Sequence, residues 1–497
     1  MTINSGYGRM CFSKSTIVNI FITLFVLVVV LFISTYLDNY SVNNLEFISI
    51  VAVVVYVWIV ISFFFKKREV NFYLIFIIMS FFFFFGQHLI LLCNIDFNDI
   101  SRSILGNRLP INFLNKTGIF IIEAMLLLHL GYLLSFRNVL NKNRVETFCV
   151  DDKYQEGLKK IGLIMFLISI VPTIIILINN MMTTVSFGYG ELFQTEYYTR
   201  GGFDNIIKFL SLYTVPSLYM LLISYKGSNK VKYIVLAFCL YIVLYLMSGS
   251  RLSAVLILST LILIKHLWFN PITKKKSISY GFLGFFLLIL LSLISSIRNS
   301  LYLASDPFNL IVEAFNNIWT ANPFFVAIEE AGFTFLATAC VVTYCPSDEP
   351  YNYGISYLNG LFALFPNLFW DIHPASTNTD IIFKGYLTSY GGIGSSFIAE
   401  AYYNFGEFSL LIMPIFGWLL GYLCHQTKIA VKFHSSMLFY ICMYTSSFVL
   451  FYVRSDTISF FRNFVYFAIV PCFFAKILTS KNKKIPLNKR DIRKSTI

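Results

Sequence analysis

The chain has 497 residues, of which 57% are hydrophobic, 18% aromatic and only 13% charged, and its mean hydropathy is +0.72. Soluble proteins carry about 25% charged residues. This composition excludes a soluble enzyme, a disordered protein and a DNA-binding domain, and it predicts an all-α, polytopic membrane protein. The formal net charge of +13 would suit nucleic acid, but the placement of the basic residues explains it without such a partner.

Apolar runs long enough to cross a bilayer, roughly 17–25 residues each, follow one another along the chain. We predict about twelve transmembrane helices, near residues 16–37, 46–65, 71–93, 117–135, 161–182, 206–224, 233–248, 252–269, 278–296, 407–424, 435–453 and 463–478. Only Ser248-Gly249-Ser250-Arg251 separates the seventh run from the eighth. We interpret this pair as a tight hairpin, because one helix over both runs would be too long for the membrane.

Lysine and arginine orient these helices, because cytoplasmic loops are enriched in both residues. With the N-terminus inside, 28 of the 38 basic residues fall on the cytoplasmic side and ten on the other side. We therefore predict that both termini are cytoplasmic and that the basic loops face anionic lipid.

The predicted organisation has four parts: an N-terminal transmembrane region of about nine helices (1–297), a large external loop with amphipathic helices (298–395), a C-terminal transmembrane region of about three helices (396–478) and a basic cytoplasmic tail (479–497). From Asn299 to Phe383 the loop has eight carboxylates and no lysine or arginine, as expected outside the cytoplasm. Its apolar piece 324–345 is interpreted as an amphipathic interfacial helix or a re-entrant segment, with an extra membrane pass as the alternative.

Arginine is over-represented among the ten external cations. Seven of them are arginine, against six of the 28 inside. Lysine would satisfy orientation alone, so the excess indicates a need for the planar guanidinium, which binds phosphate oxygens through two hydrogen bonds. Four lie at or near the ends of apolar runs, where a cation needs a partner: Arg251, Arg298, Arg454 and Arg462. We predict that they bind a lipid-borne diphosphate; the alternative is contact with lipid headgroups or with nearby acids such as Asp456.

Sugar transfer from a lipid diphosphate also needs a base for the acceptor hydroxyl and a surface that holds sugars. Glu400 is the preferred base, because it lies on a predicted helix in apolar surroundings; a structural carboxylate, solvated or paired with arginine, is the alternative. His373 is the second candidate, although a loop histidine beside proline is more often structural. Glu123 is expected to face the bundle interior and to pair with an arginine. Four tyrosines are candidate sugar contacts or members of an interfacial aromatic belt: Tyr386, Tyr390, Tyr402 and Tyr403.

The segment 391–406 has the sequence GGIGSSFIAEAYYNFG. It resembles a segment of the O-antigen polysaccharide polymerases, the Wzy family, that follows their large periplasmic loop. The turn SGSR at 248–251, the sequence RSDTISFFR at 454–462 and the plan of about a dozen helices with one long late loop are similar to that family as well.

The resemblance implies a membrane glycosyltransferase of the C type in the bacterial inner membrane, with a periplasmic active site. It would transfer a glycan from undecaprenyl diphosphate to the non-reducing end of another lipid-linked repeat unit, with no metal, nucleotide sugar or other cofactor. The four arginines would bind the diphosphate, and Glu400 would act on the acceptor or orient it. A chain-length regulator protein is a candidate partner.

Two alternatives to a polymerase remain. An O-antigen ligase would use the same donor chemistry, whereas a lipid-linked oligosaccharide flippase would not be an enzyme. The long external loop and the one-sided arginines favour an enzyme over a flippase.

Overall fold

The computed structural model of the chain describes residues 14–36, 42–64, 71–93, 109–135, 152–187, 202–248, 251–273, 312, 328–329, 331–365, 370–371, 373–377, 382–383, 386 and 394–480. In these ranges the regular secondary structure is helical throughout. The predicted all-α fold is therefore confirmed for this part of the chain.

Sixteen α-helices occur in the described ranges. Nine precede the long loop: α1 (Lys14–Tyr36), α2 (Val42–Phe64), α3 (Phe72–Leu92), α4 (Ile111–Leu134), α5 (Asp152–Phe187), α6 (Gly202–Ser211), α7 (Thr214–Ser224), α8 (Val231–Met247) and α9 (Arg251–Ile264). Two lie within the predicted loop 298–395, α10 (Thr334–Tyr344) and α11 (Ile355–Phe362), and five follow it: α12 (Phe397–Phe405), α13 (Met413–Lys432), α14 (Ser436–Tyr452), α15 (Thr457–Asn463) and α16 (Val470–Ser480).

Within the described residues, seven helices are long and apolar enough to cross a membrane: α1 to α5 singly, α6 with α7, and α15 with α16. An eighth span would combine Phe397–Leu411, which contains α12 and the 3-10 helix after it, with α13; these two segments are bent by 87° relative to each other. The predicted runs 233–248, 252–269 and 435–453 are shorter apolar helices of 10–17 residues, and the run 278–296 lies outside the described residues. A polytopic membrane protein is thus confirmed, but twelve spans are not.

Helix α4 lies at the centre of the described bundle. In its most apolar 18-residue stretch 83% of the residues are buried, whereas in the corresponding stretches of α1 and α5 only 22% are buried. Helix α4 contacts α1, α2, α10 and α13. The outer helices expose large aliphatic side chains, as expected where a protein meets lipid tails.

Contact between α4 and α13 depends on glycine. Gly417 and Gly421 have the spacing of the GxxxG motif, which allows helix backbones to approach closely. A Cβ atom added to Gly417 would lie 1.8 Å from the carbonyl oxygen of Leu128, and one added to Gly131 would lie 1.9 Å from that of Pro414. Each helix therefore packs its backbone directly against the other.

Helix α10 of the long loop is buried in the bundle. Every residue from Thr334 to Val342 is buried, and the helix contacts α3, α4 and α12. A helix on the membrane surface would expose a polar face. This burial argues against an amphipathic interfacial helix at α10, while the re-entrant segment and the extra membrane pass both stay predictions for the piece 324–345.

Helix α11 of the same loop is amphipathic. Its buried side carries Ser356 and Gly360, whereas Ile355, Leu358 and Leu361 are exposed. The buried side packs on α15. Helix α11 therefore presents an apolar face away from the protein.

We predict that Gly417→Ala lowers the free energy of unfolding by about 1–3 kcal/mol, because the added methyl group forces α13 away from α4. Thermal unfolding of the purified protein in detergent would measure this loss. Gly162→Ala is the matched control, since a Cβ atom there comes no closer than 3.1 Å to its neighbours. Equal losses in the two variants would contradict the close packing.

Candidate functional site

The local sequence explains why α12 is short and well defined. Ser396 caps its N-terminus, and the Ser396 hydroxyl accepts a hydrogen bond of 2.9 Å from the backbone N–H of Ala399. The helix ends at Gly406, whose φ of +57° favours glycine. A Cβ atom there would lie 2.6 Å from the hydroxyl of Tyr351. The glycine thus allows α12 to end here and the 3-10 helix Gly406–Leu411 to begin.

Glu400 on α12 has no exposed surface. Its Oε1 accepts a hydrogen bond of 2.8 Å from the hydroxyl of Ser356. Its Oε2 accepts hydrogen bonds from the backbone N–H of Thr457 at 2.8 Å and from the Thr457 hydroxyl at 2.6 Å, and the Tyr452 hydroxyl lies 3.4 Å away. A buried carboxyl group requires such hydrogen-bond partners, because burial removes its hydration. The donors come from α11 and from the α14–α15 region.

Asn404 extends these contacts by one helical turn. Its Nδ2 donates to the Ser356 hydroxyl at 2.7 Å and to the carbonyl of Glu400 at 2.8 Å. Its Oδ1 accepts from the backbone N–H of Gly354 at 2.8 Å. We call these five residues the Glu400 network: Ser356, Glu400, Asn404, Tyr452 and Thr457.

Two of the predicted diphosphate-binding arginines lie on, or just before, the helix that begins at Thr457. Asp456 caps α15, and its Oδ1 accepts a hydrogen bond of 3.2 Å from the backbone N–H of Ser459. Arg462 is exposed in the last turn of this short helix. Arg454 is half-buried before the helix and already has an interaction within the protein. Glu400 therefore holds the first residue of the helix that carries Arg462.

The other two predicted arginines cannot be placed against this network. Arg251 begins α9, but its side chain lies outside the described part of the structure, as does all of Arg298. Their predicted diphosphate binding stays a prediction.

His373 contacts the loop backbone. Its Nε2 lies 3.0 Å from the carbonyl oxygen of Phe365, and its ring meets that of Trp370 edge-on with 6.0 Å between centroids. These contacts resemble those of a histidine that stabilises a loop. The catalytic roles predicted for His373 and Glu400 both stay predictions.

Tyr386 is held by a carboxylate. Its hydroxyl donates a hydrogen bond of 2.8 Å to Oε1 of Glu349, and its ring stacks on Tyr344 with 4.4 Å between centroids. The hydrogen bond to Glu349, with smaller contributions from burial and other nearby negative charges, raises the pKa of Tyr386 to about 12. The hydroxyl therefore stays protonated at neutral pH.

The remaining tyrosine candidates differ in their surroundings. Tyr402 and Tyr403 are buried, and their rings meet Phe120 and Phe383 edge-on. Tyr390 lies outside the described residues. Packing thus occupies at least one side of each buried ring, and the sugar contacts predicted for all four tyrosines stay predictions.

Glu123 is buried in α4, as expected from its place in an apolar run. A charged neighbour of Glu123 is the carboxylate of Glu407. Glu407 itself forms an ion pair of 2.9 Å with Lys116. None of the described arginine side chains forms an ion pair with Glu123.

Sequence reasoning overlooked four members of the Glu400 network. Asn404 lies inside the resembling segment, and Asp456 before Thr457 is a recognisable helix cap, but no local pattern links Ser356 or Tyr452 to Glu400. Where the structure describes the chain, groups of three or more His, Cys, Asp or Glu side chains that could hold a metal ion are absent.

We predict that Glu400→Ala destabilises the protein by several kcal/mol, roughly 1–3 kcal/mol for each buried donor that loses its acceptor. Thermal unfolding in detergent would measure the change. Glu407→Ala is the control, because that side chain is 67% exposed in its ion pair with Lys116 and should contribute less than about 1 kcal/mol. A similar small loss in both variants would refute the structural importance of Glu400.

Comparison with known proteins identifies the family. The model of the family described as O-antigen polysaccharide polymerase Wzy matches residues 17–483, nearly the whole chain. Neither the curated proteins nor the solved structures include a significant match. The family match covers the Glu400 network and the helices that hold it, and the chain therefore belongs to the O-antigen polysaccharide polymerase (Wzy) family.

Proposed function

We propose that this protein polymerises surface-polysaccharide repeat units by moving a glycan from undecaprenyl diphosphate to the non-reducing end of another lipid-linked repeat unit. The single observation that carries the proposal is the family match over residues 17–483. The proposed site is on the periplasmic side of the bacterial inner membrane, and both termini are cytoplasmic, as the distribution of lysine and arginine suggests. The proposed architecture is that of a C-type membrane glycosyltransferase.

The proposed reaction replaces one bond to the anomeric carbon by another. The acceptor hydroxyl oxygen bonds to this carbon while the bond from the carbon to the diphosphate oxygen breaks. The diphosphate leaves with the electron pair, and the hydroxyl proton passes to a base. Guanidinium groups stabilise the leaving anion through charge and paired hydrogen bonds, so this scheme uses no metal ion.

We assign diphosphate binding to four residues: Arg251, Arg298, Arg454 and Arg462. Arg462 has the best structural support, because it is exposed on a helix whose first residue, Thr457, is held by the buried Glu400. A binding group on a firmly held helix keeps its position better than one on a free loop. Arg454 lies just before the same helix.

The acceptor hydroxyl requires a base, and Glu400 and His373 are the two proposed candidates. In the described conformation Glu400 accepts hydrogen bonds from Thr457 and Ser356, and Nε2 of His373 contacts a backbone carbonyl. This geometry favours orientation of the site over direct proton transfer for Glu400. Tyr386, Tyr390, Tyr402 and Tyr403 are the proposed sugar contacts.

An O-antigen ligase and a lipid-linked oligosaccharide flippase are the two competing functions. A ligase would pass the glycan to the lipid A core, and a flippase would move the lipid-linked oligosaccharide without making a bond. The family match favours the polymerase over both. A chain-length regulator protein is the proposed partner of the polymerase.

Deletion of the gene tests the proposed function. We predict that the deleted cells carry lipid A core with a single repeat unit, because ligation continues without polymerisation; electrophoresis of the lipopolysaccharide would resolve this product. Complete loss of repeat units, with accumulation of lipid-linked units, would point to a ligase or a flippase instead.

Substitutions of Arg462 test the diphosphate site. We predict that Arg462→Gln abolishes long polymer and that Arg462→Lys, which keeps the charge but loses the planar pair of donors, reduces polymer at least tenfold, equivalent to about 1.4 kcal/mol. Complementation of the deleted strain and quantification of chain length would measure both effects. Lys230→Gln, which removes an exposed cation elsewhere, is the control. Full-length polymer from Arg462→Gln would contradict the assignment.

A further inference from the structure

We propose that Glu400 is a positioning residue, which fixes helix α11 of the long loop and the arginine-bearing helix α15 in one arrangement for the lipid-linked substrate. This inference rests on the proposed polymerase function. It also assigns a role to the other members of the Glu400 network, which act through Glu400 and do not touch the reacting atoms.

The acceptor capacity of the Glu400 carboxylate is largely used within the protein. Two carboxylate oxygens offer about four lone-pair sites. Ser356 occupies one site on Oε1, and the backbone N–H and hydroxyl of Thr457 occupy two on Oε2, with the Tyr452 hydroxyl near the same oxygen. The side chain is also completely buried. A general base must reach the hydroxyl proton that it removes, and this arrangement leaves Glu400 poorly placed to do so.

The network joins parts of the chain that are far apart in sequence. Ser356 is 44 residues before Glu400, and Thr457 is 57 residues after it. Helices α11 and α15 also touch each other, because a Cβ atom on Gly360 would lie 3.1 Å from the Phe461 ring and from the Thr457 methyl group. Glu400 therefore joins two packed helices through a shared acceptor, and loss of its hydrogen bonds would remove this link between them.

The two helices present different chemistry on their exposed sides. Helix α11 exposes the apolar side chains of Ile355, Leu358, Leu361 and Phe362, as a helix in the membrane interface does. Helix α15 exposes Arg462 in its last turn. A polyprenyl diphosphate combines an apolar chain with an anionic group. A fixed arrangement of α11 and α15 would place an apolar surface and a guanidinium at a set separation for such a substrate.

The positioning role can be tested at Thr457, because its hydroxyl can be removed with little change of volume. The full-length enzyme in proteoliposomes would be assayed with purified lipid-linked repeat units, and the apparent KM and kcat would be measured. We expect Thr457→Val to raise the apparent KM by up to roughly tenfold, as loss of one buried hydrogen bond implies, and to change kcat much less. Thr457→Ser, which keeps the hydroxyl, should restore most of the affinity.

Thr427→Val is the matched control. Thr427 and Thr457 are each 5% exposed, but the Thr427 hydroxyl donates to the carbonyl of Leu423 in its own helix. The control should therefore leave the apparent KM unchanged. Tyr452→Phe is a second probe that retains the ring and removes a hydroxyl 2.6 Å from that of Thr457; it should raise the apparent KM in the same direction.

The opposite result would overturn the positioning role. If Thr457→Val and Tyr452→Phe keep the wild-type KM while Glu400→Gln eliminates kcat, then Glu400 acts as a base and not as a positioning residue. Failure of the proposed function would look different, because the wild-type enzyme itself would then form no polymer from lipid-linked repeat units.

Discussion

Burial of the Glu400 carboxylate is the constraint on which the C-terminal part of this protein depends. A buried carboxyl group that has lost its hydration costs several kcal/mol unless hydrogen bonds replace the lost water. Here the replacements are the hydroxyl of Ser356 and both donors of Thr457. Each donor lies on a segment that must stay in place for the buried carboxyl group to be tolerated, so this side chain links α11 and α15 to α12.

Helix packing puts Glu400 in this position. The glycines of α13 let it touch the backbone of α4, the most buried spanning helix among those described. Gly406 ends α12 with a positive φ, where an L side chain would be strained. Ser396 links the other end of α12 to the buried helix α10 through a hydroxyl contact of 3.0 Å with Thr338. Glu400 is thus carried by a short helix that is anchored at both ends.

This arrangement suits a substrate that is partly lipid and partly anion. The family of the chain implies lipid-linked oligosaccharide substrates, and such molecules carry their phosphates close to the membrane surface. A polymerase of this kind would have to hold an apolar chain, a diphosphate and two sugars at once. Positioning by a buried carboxylate would keep these binding groups at fixed distances from one another. It would also avoid an exposed negative charge beside the phosphates, which would repel them.

The sequence alone determined the all-α membrane class, most of the spanning segments and the family, because long apolar runs and the segment around Glu400 are local patterns. It also placed Glu400 in apolar surroundings and Glu123 in the bundle interior. The bend between α12 and α13, the burial of α10 and the short length of α8 and α14 appeared only in the structure, because they depend on contacts between distant helices. The same holds for the partners of Glu400. The structural alternative was a carboxylate that is solvated or paired with arginine, whereas the described donors are Ser356 and Thr457, and no periodicity relates residues so far apart in the chain.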